Sequence, residues 1–289
     1  MRATTADRPL AIDPALLQRR VSELPALPQV ALQVLAILRD ETARTERCGE
    51  VIAQDQALTA RTLRLANSAF YGAPGRVGTI RDAVHLLGRR TLGALLTVAT
   101  VSAQFSATSC AGFDFGAFWR HSIGAALAAR ALARGLQLDE DLAFTAGLVH
   151  DIGRLALATH FPLEMSAAIE QALGTDTDLH TSERAVLAID HADVGALIAR
   201  HWHFPPEVVH AIGQHHRPDA AGTQPTLTDI VHLADAITHA LDLARVENES
   251  VPAIDLLAWD RLALRPDRIL AVFEQTEAGV AELCDSLGL

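Results

Sequence analysis

A histidine and an aspartate stand side by side in an apolar stretch of the chain, at His150 and Asp151. The surrounding run from Gly147 to Gly153 otherwise has the composition of a buried helix. Burying a carboxylate is costly unless a counter-charge, a hydrogen-bond network or a metal ion compensates it. The pair therefore predicts a compensating group of one of these three kinds.

More side chains of ligand type occur along the sequence on both sides of the pair. Neutral imidazole and carboxylate together suit a divalent transition metal. The candidate metal ligands are His121, His150, Asp151, His191, His215, His216 and Asp235. If they converge on one pocket they predict a metal centre; otherwise the His150–Asp151 pair is better explained as a hydrogen bond inside a helical core.

Each flanking residue also has an interpretation that needs no metal. His121 follows Trp119 and could be a core histidine, while Asp235 could be solvated or paired with an arginine. The His215–His216 pair lies just before a proline, where donor or cationic side chains favour a helix C-terminus. We interpret the remaining histidines as surface or packing residues: His85, His160, His180, His201, His203, His210, His232 and His239.

The composition favours a helical protein. The chain has 289 residues, 49% of them hydrophobic and 20% charged, with a single Tyr and abundant Ala and Leu, a mixture that forms helices more readily than strands. The net charge of −11 argues against broad binding to nucleic acid. We see no apolar run of the length expected for a membrane span or a secretory signal. The three cysteines are far apart in the sequence, which favours a reducing cytoplasm.

Apolar periodicity predicts helices along most of the chain. Pro28 can open one helix and Asp55 can cap another that ends near Asn67-Ser68. Thr79 and Asp82 resemble a capping box, and Gly88 predicts a stop or kink. The remaining predicted helices are 47–54, 92–101, 115–133, 140–159, 163–172, 182–201, 207–215, 227–243 and 267–287.

A stretch of small and polar residues at 106–112 predicts a boundary between two helical halves. The predicted organisation is a lead-in at 1–21, an N-terminal helical half at 22–112, a histidine-bearing half at 113–216, and a C-terminal helical extension with Asp235 at 217–289. The predicted fold class is all-α.

The order of these motifs resembles the HDOD family, the "HD-related output domain", over about residues 22–216. The N-terminal motifs are 24–28 (LPALP), 55–59 (DQALT), 63–68 (LRLANS), 80–84 (IRDAV) and 87–88 (LG). The later motifs are 147–153 (GLVHDIG), 191–196 (HADVGA), Trp202 with Phe204-Pro205, and 215–216 (HH). The resemblance implies a multi-helix bundle whose second half is similar to the HD superfamily of metal-dependent phosphohydrolases.

The resemblance also implies how one or two divalent ions of Fe, Mn, Ni or Zn would be held. A first ion would take His121, His150, Asp151 and Asp235 as ligands. A second would share Asp151 and add His191 with one or both of His215 and His216. If the protein is an enzyme, Asp151 is a catalytic candidate, together with Arg154, which stands where catalytic relatives have a phosphate-binding lysine.

Two departures from the catalytic relatives weaken the case for hydrolysis. Ala117 replaces the glutamate that trinuclear relatives place one turn before the first histidine, so a third ion is not expected. The Gly-Tyr-Pro loop that follows the double histidine in cyclic di-GMP phosphodiesterases is absent after His216. The resemblance therefore implies a non-catalytic or weakly catalytic output or adaptor module that docks a signalling protein.

Two alternatives stay open. The near-complete ligand set also fits a metal-dependent phosphohydrolase or phosphodiesterase that acts on a nucleotide or cyclic dinucleotide. The same pocket could instead serve a sensor that binds a nucleotide or metal without turnover. Elemental analysis of the purified protein is the most informative first observation for separating a metal centre from a scaffold.

Overall fold

In the computed structural model, all regular secondary structure of the described residues is helical, which confirms the predicted all-α class. The structure describes residues 10–27, 30, 33–34, 37, 44, 46–67, 76–102, 104–105, 109–246 and 250–287. The helices within these ranges are α1 (Pro14–Ser22), α2 (Glu46–Ile52), α3 (Gln56–Ala66), α4 (Ile80–Ser102), α5 (Phe115–Leu136), α6 (Glu140–Val149), α7 (Ile152–His160), α8 (Pro162–Thr175), α9 (Leu179–Leu187), α10 (His191–His201), α11 (Pro206–Gln214), α12 (Leu227–Ala240), α13 (Leu256–Leu262) and α14 (Pro266–Leu287).

Helix α3 begins and ends as its polar residues predict. Asp55 accepts a hydrogen bond from the Leu58 N–H at 2.9 Å and caps the first turn. Asn67 accepts from the Val77 N–H at 3.0 Å and so holds the chain that follows the helix. Ser68 lies outside the described residues, as does most of the helix predicted after Pro28.

Helix α4 contains the kink that its glycine predicts. Gly88 has φ 69° and ψ 172° in the middle of the helix, a conformation that glycine adopts without steric cost. The Thr79 hydroxyl accepts from the Asp82 N–H at 3.1 Å and donates to its carboxylate at 2.7 Å. The cap is therefore present, with the carboxylate bound to the hydroxyl. The side chains of Arg89 and Arg90 lie outside the described set.

Two side chains at the end of α10 join the N-terminal segment to the histidine-bearing half. Trp202 donates its indole N–H to the Pro25 carbonyl oxygen at 3.1 Å. The His201 Nε2 lies 3.0 Å from the Leu24 carbonyl oxygen, to which it donates. The motif at 24–28 and the tryptophan are far apart in sequence, and the structure brings them together.

The single helix predicted over 140–159 is wrong, because the chain breaks into α6 and α7 at His150 and Asp151. Asp151 has φ −96° and ψ 13°, outside the helical region. Apolar periodicity continues through the break, so the pattern alone does not reveal it. The break places both side chains of the pair at a junction of two buried helices.

The single helix predicted over 182–201 is also wrong, since Ala188 adopts φ 63° and ends α9. Asp190 then accepts from the Asp193 N–H at 2.9 Å and caps α10. The other predicted boundaries of α5, α8, α11, α12 and α14 differ from the observed ones by a few residues. Helix α13 has no counterpart among the predictions.

The C-terminal residues pack against the helix that carries His121. Ala128 and Leu132 of α5 share a buried core with Ile230 and Ile237 of α12 and Val272 of α14. This packing fixes α12, and with it Asp235, against α5. Among the described residues, no helix combines the length and the apolar character needed to cross a bilayer.

Candidate metal centre

Two histidines at the centre of the fold have their rings oriented by backbone carbonyl groups. His150 Nδ1 lies 2.7 Å from the Gly147 carbonyl oxygen, and His215 Nδ1 lies 2.7 Å from that of Ile212. Because a carbonyl oxygen can only accept, each Nδ1 carries the proton and donates. In the neutral ring the Nε2 atom then has a free lone pair, the form in which imidazole binds a metal.

These lone pairs face the carboxylate of Asp151. Its Oδ1 lies 3.4 Å from His150 Nε2 and 3.6 Å from His215 Nε2. The residue is 1% exposed, and no described group gives either oxygen a hydrogen bond of regular geometry. A buried carboxylate surrounded by imidazole nitrogens but not bonded to them fits a divalent ion well.

A second side of the site is built by α5 and α12. His121 Nε2 lies 3.1 Å from Oδ1 of Asp235 and 3.3 Å from Nε2 of His150. His150 Nε2 lies 3.6 Å from the same Asp235 oxygen. All three residues are buried. The interpretation of Asp235 as a solvated or arginine-paired residue is therefore wrong.

The third side of the site comes from α9, α10 and the end of α11. His191 Nε2 lies 3.1 Å from Asp151 Oδ1 and 2.8 Å from His216 Nε2. Glu183 holds the other ring nitrogen of His191 at 2.6 Å. The ring of His180 stacks on that of His216, with centroids 4.3 Å apart and planes 15° apart. Sequence reasoning missed both Glu183 and His180 as parts of the site.

The charges of the site stabilise one another. Burial opposes ionisation of Asp151, but Arg154, His150 and His191 hold its pKa well below its usual value. The Arg154 guanidinium forms an ion pair with the Asp151 carboxylate at an N–O distance of 3.0 Å. Burial likewise opposes ionisation of Asp235, and the neighbouring histidines keep its pKa well below the usual value. Both carboxylates are therefore charged at neutral pH, as metal ligands must be.

The histidines divide into two classes. Burial lowers the pKa of His121, His215 and His216, the last of them well below its ordinary value, which favours neutral rings. Burial also opposes protonation of His191, but Glu183 and Asp151 overcome it and raise its pKa to about 10. Burial likewise opposes protonation of His150, but Asp151 and Asp235 outweigh it and raise the pKa of that ring as well. In the absence of metal, His191 therefore carries a positive charge at neutral pH.

A further histidine, His239, belongs to this cluster although it was interpreted as a surface or packing residue. Its Nε2 lies 3.3 Å from Oδ1 of Asp235, and its side chain is 7% exposed. The spacing Asp235-x-x-x-His239 places both on one face of a helix, and this was the signal available in the sequence.

A cavity of about 240 Å³ reaches the cluster from one side. Its polar lining includes His121, Arg154, His180, His216 and His239, and its apolar lining includes Phe113, Phe118, Ile169, Leu173 and Val246. Val246 shows that the C-terminal extension contributes to the wall. The site is therefore accessible to a small molecule.

The seven predicted ligands are thus brought together by the fold, in overlapping groups of donor atoms that lie within 4.8 Å of one another. His121 is buried but not merely a core residue. His215 does end α11 and bonds its last turn, so the capping interpretation and a place in the cluster both hold for it. The donor set, with Asp151 paired to Arg154 on one oxygen and facing imidazole nitrogens with the other, fits one or two divalent ions.

Comparisons with known proteins agree with this architecture. The sequence model of the HDOD domain matches residues 24–218. A provisionally assigned phosphohydrolase from Shewanella amazonensis SB2B is 30% identical with a TM-score of 0.68, over 95% of this chain and 97% of that one. An HDOD domain protein of unknown function from Geobacter sulfurreducens is 23% identical with a TM-score of 0.71, over 95% and 98% of the two chains. At that identity the second likeness concerns the fold alone.

Two curated proteins are also similar over part of their length. An uncharacterized protein from Treponema pallidum is 25% identical over 247 residues, which are 84% of this chain and 47% of that protein. Ribonuclease Y from Thermus thermophilus is 34% identical over 145 residues, 50% of this chain and 20% of the enzyme. The chain spans less than half the length of these curated relatives.

Proposed function

The chain belongs to the HDOD family, and from that premise we propose that it is a signal-transduction output module whose buried site holds one or two divalent metal ions. The main support for a bound metal ion is the environment of Asp151. Its buried carboxylate faces Nε2 atoms of His150 and His215 whose Nδ1 atoms already donate to backbone carbonyls. Fe, Mn, Ni and Zn all accept such a set of imidazole and carboxylate ligands.

The proposed ligands are the seven predicted from the sequence. One ion would be held by His121, His150, Asp151 and Asp235; a second would share Asp151 and take His191, His215 and His216. When bound, such ions would act as Lewis acids and offset negative charge on phosphoryl oxygens. Arg154 lines the cavity beside them and would bind a phosphate group there.

The output role is supported by where the ligands lie in the chain. All seven fall between residues 121 and 235. Residues of α2, α3 and α4 form a separate core around Ile52, Leu65, Val84 and Leu96 and supply none of the proposed ligands. A hydrolytic site needs only the histidine-bearing half and helix α12 of the C-terminal extension. We therefore propose that the N-terminal half, about residues 22–112, serves to dock a signalling protein.

A second candidate function is hydrolysis of a nucleotide or cyclic dinucleotide. The cavity that reaches His121, His216 and Arg154 favours this candidate, because it would admit a phosphate-bearing ligand. Under either candidate a nucleotide could bind. The two differ in whether the phosphodiester or phosphoester bond is broken.

Turnover by metal-loaded protein separates the two candidates. The full chain, loaded in turn with Fe²⁺, Mn²⁺, Ni²⁺ and Zn²⁺, is tested on an aryl phosphodiester and on a panel of nucleotides and cyclic dinucleotides, with Asp151→Ala as the reference. The output role predicts no more product from the parent than from Asp151→Ala. Sustained turnover that disappears in Asp151→Ala would contradict it and establish the hydrolase.

A further inference from the structure

Helix α12 presents two side chains of ligand type to the same point. Nε2 of His239 lies 3.3 Å from Oδ1 of Asp235, and this oxygen also lies 3.1 Å from Nε2 of His121. The ring centroids of His121 and His239 are 4.6 Å apart. The three residues form a compact group whose donor atoms all lie within 4.8 Å of one another.

His239 reaches this group from the side of the cavity. His121 and His239 both line the cavity, whereas His150 does not. Ala117, one turn before His121, lines the same wall and has no donor atom to offer. The imidazole of His239 therefore occupies the cavity-facing side of the Asp235 carboxylate.

We propose that His239 is a further ligand of the ion held by His121 and Asp235, an inference that rests on the proposed function. Structural metal sites have a full set of protein ligands, whereas catalytic sites keep a position for water or substrate. A histidine on the cavity side removes such a position from this ion. His239 thereby gives the ion a structural role, as suits an output module.

The competing role for His239 is that of a hydrogen-bond donor that merely orients Asp235. Removal of such an orienting group also weakens metal binding, by about 10- to 100-fold, so affinity after a single substitution does not separate the roles. Two substitutions do separate them. His239→Gln can still donate to Asp235 through its amide but lacks an imidazole, and His239→Ala can neither donate nor bind.

In the first experiment, the chelator-stripped full chain is titrated with Co²⁺, and binding is measured by the visible absorption of the bound ion. We expect His239→Ala and His239→Gln both to bind at least about tenfold more weakly than the parent. His210→Ala is the matched control, because that imidazole is 51% exposed and pairs with Asp219 outside the cluster. Parent-like binding by His239→Gln, or by both variants, would overturn the inference. A parent that binds no Co²⁺ would instead overturn the proposed function.

A second variant gives a signal that appears rather than disappears. In His239→Cys, a thiolate bonded to Co²⁺ would produce an intense near-ultraviolet charge-transfer band. The native cysteines Cys48, Cys110 and Cys284 lie outside the candidate ligand groups, so the parent should show no such band. Appearance of the band in Co²⁺-loaded His239→Cys would support direct ligation by the side chain at position 239.

Discussion

Glu183 accepts two hydrogen bonds from His191, one from the ring Nδ1 at 2.6 Å and one from the backbone N–H at 2.8 Å. Both side chains are fully buried. The carboxylate therefore fixes the ring so that its Nε2 faces Asp151 at 3.1 Å. Carboxylate–histidine pairs of this kind orient metal-binding imidazoles and increase their basicity.

Replacing Glu183 should weaken the site without removing a ligand. In Glu183→Gln, we expect metal affinity to fall by about 10- to 100-fold, because the ring of His191 loses its charged acceptor. Glu170→Gln, on the exposed face of α8, is the matched control and should bind like the parent. Isothermal titration with Zn²⁺ measures both. Equal affinity in the two variants would show that Glu183 does not orient a ligand.

The pKa of His191, raised to about 10, predicts how the metal-free protein responds to pH. A pKa raised above the unfolded value of 6.5 means that the folded state holds the proton more tightly. This contribution to stability is fully present below pH 6.5 and is lost as the pH rises toward about 10. The free energy of unfolding in urea with chelator should therefore fall between these pH values, and the fall should be smaller in His191→Gln.

Metal affinity should change with pH in the direction opposite to the stability of the metal-free protein. A metal ion at His191 must displace the proton from Nε2, so affinity should increase with pH across the range in which the free protein is protonated. Competition titrations at pH 6.5 and at pH 8.5, values chosen below the pKa of about 10, measure this. An affinity that does not change with pH would mean that His191 is not a ligand.

A close approach between α7 and α10 tests the packing that positions the site. A Cβ atom at Gly153 would overlap the His191 carbonyl oxygen and lie 2.8 Å from the Gly195 backbone nitrogen. We expect Gly153→Ala to lower the free energy of unfolding by about 1–3 kcal/mol and to reduce metal content. A Cβ atom added at Gly174 in α8 would meet open space. Gly174→Ala should therefore leave the free energy of unfolding unchanged or raise it by up to about 1 kcal/mol. Equal stability of the two variants, measured by urea unfolding, would contradict this packing.

A buried ion pair holds the C-terminal helices to α12. Arg261 Nε donates to the Asp229 carboxylate at 2.9 Å, and both side chains are buried. Removing one partner leaves the other charge buried, so Arg261→Ala should cost about 3–5 kcal/mol. Arg265→Ala, which breaks the exposed pair with Asp267, should cost less than about 1 kcal/mol. Thermal unfolding measures both variants. Equal midpoints for Arg261→Ala and Arg265→Ala would contradict a stabilising role for the buried Arg261–Asp229 pair.

The helical class and the family were predictable because both depend on local signals. The periodicity of apolar residues indicates helices, and the order of the motifs indicates the family. The cap at Asp55 and the kink at Gly88 follow from the chemistry of single residues. Convergence of His121, Asp151 and Asp235 depends on tertiary packing and became visible only in the structure.

What sequence reasoning missed also has physical reasons. The break at Ala188 depends on a left-handed conformation that alanine rarely adopts, although the cap at Asp190 was a usable signal. Glu183 and His180 act across a helix junction, where spacing carries no information. The domain boundaries, the docking partner and a cytoplasmic location stay predictions.

The central claim is tested most directly by elemental analysis of the freshly purified full chain beside Asp151→Ala and the exposed-site control Asp219→Ala. The account predicts one or two equivalents of Fe, Mn, Ni or Zn in the parent and in Asp219→Ala, and a clear loss in Asp151→Ala. A parent that carries no transition metal and takes none up after reconstitution would contradict it.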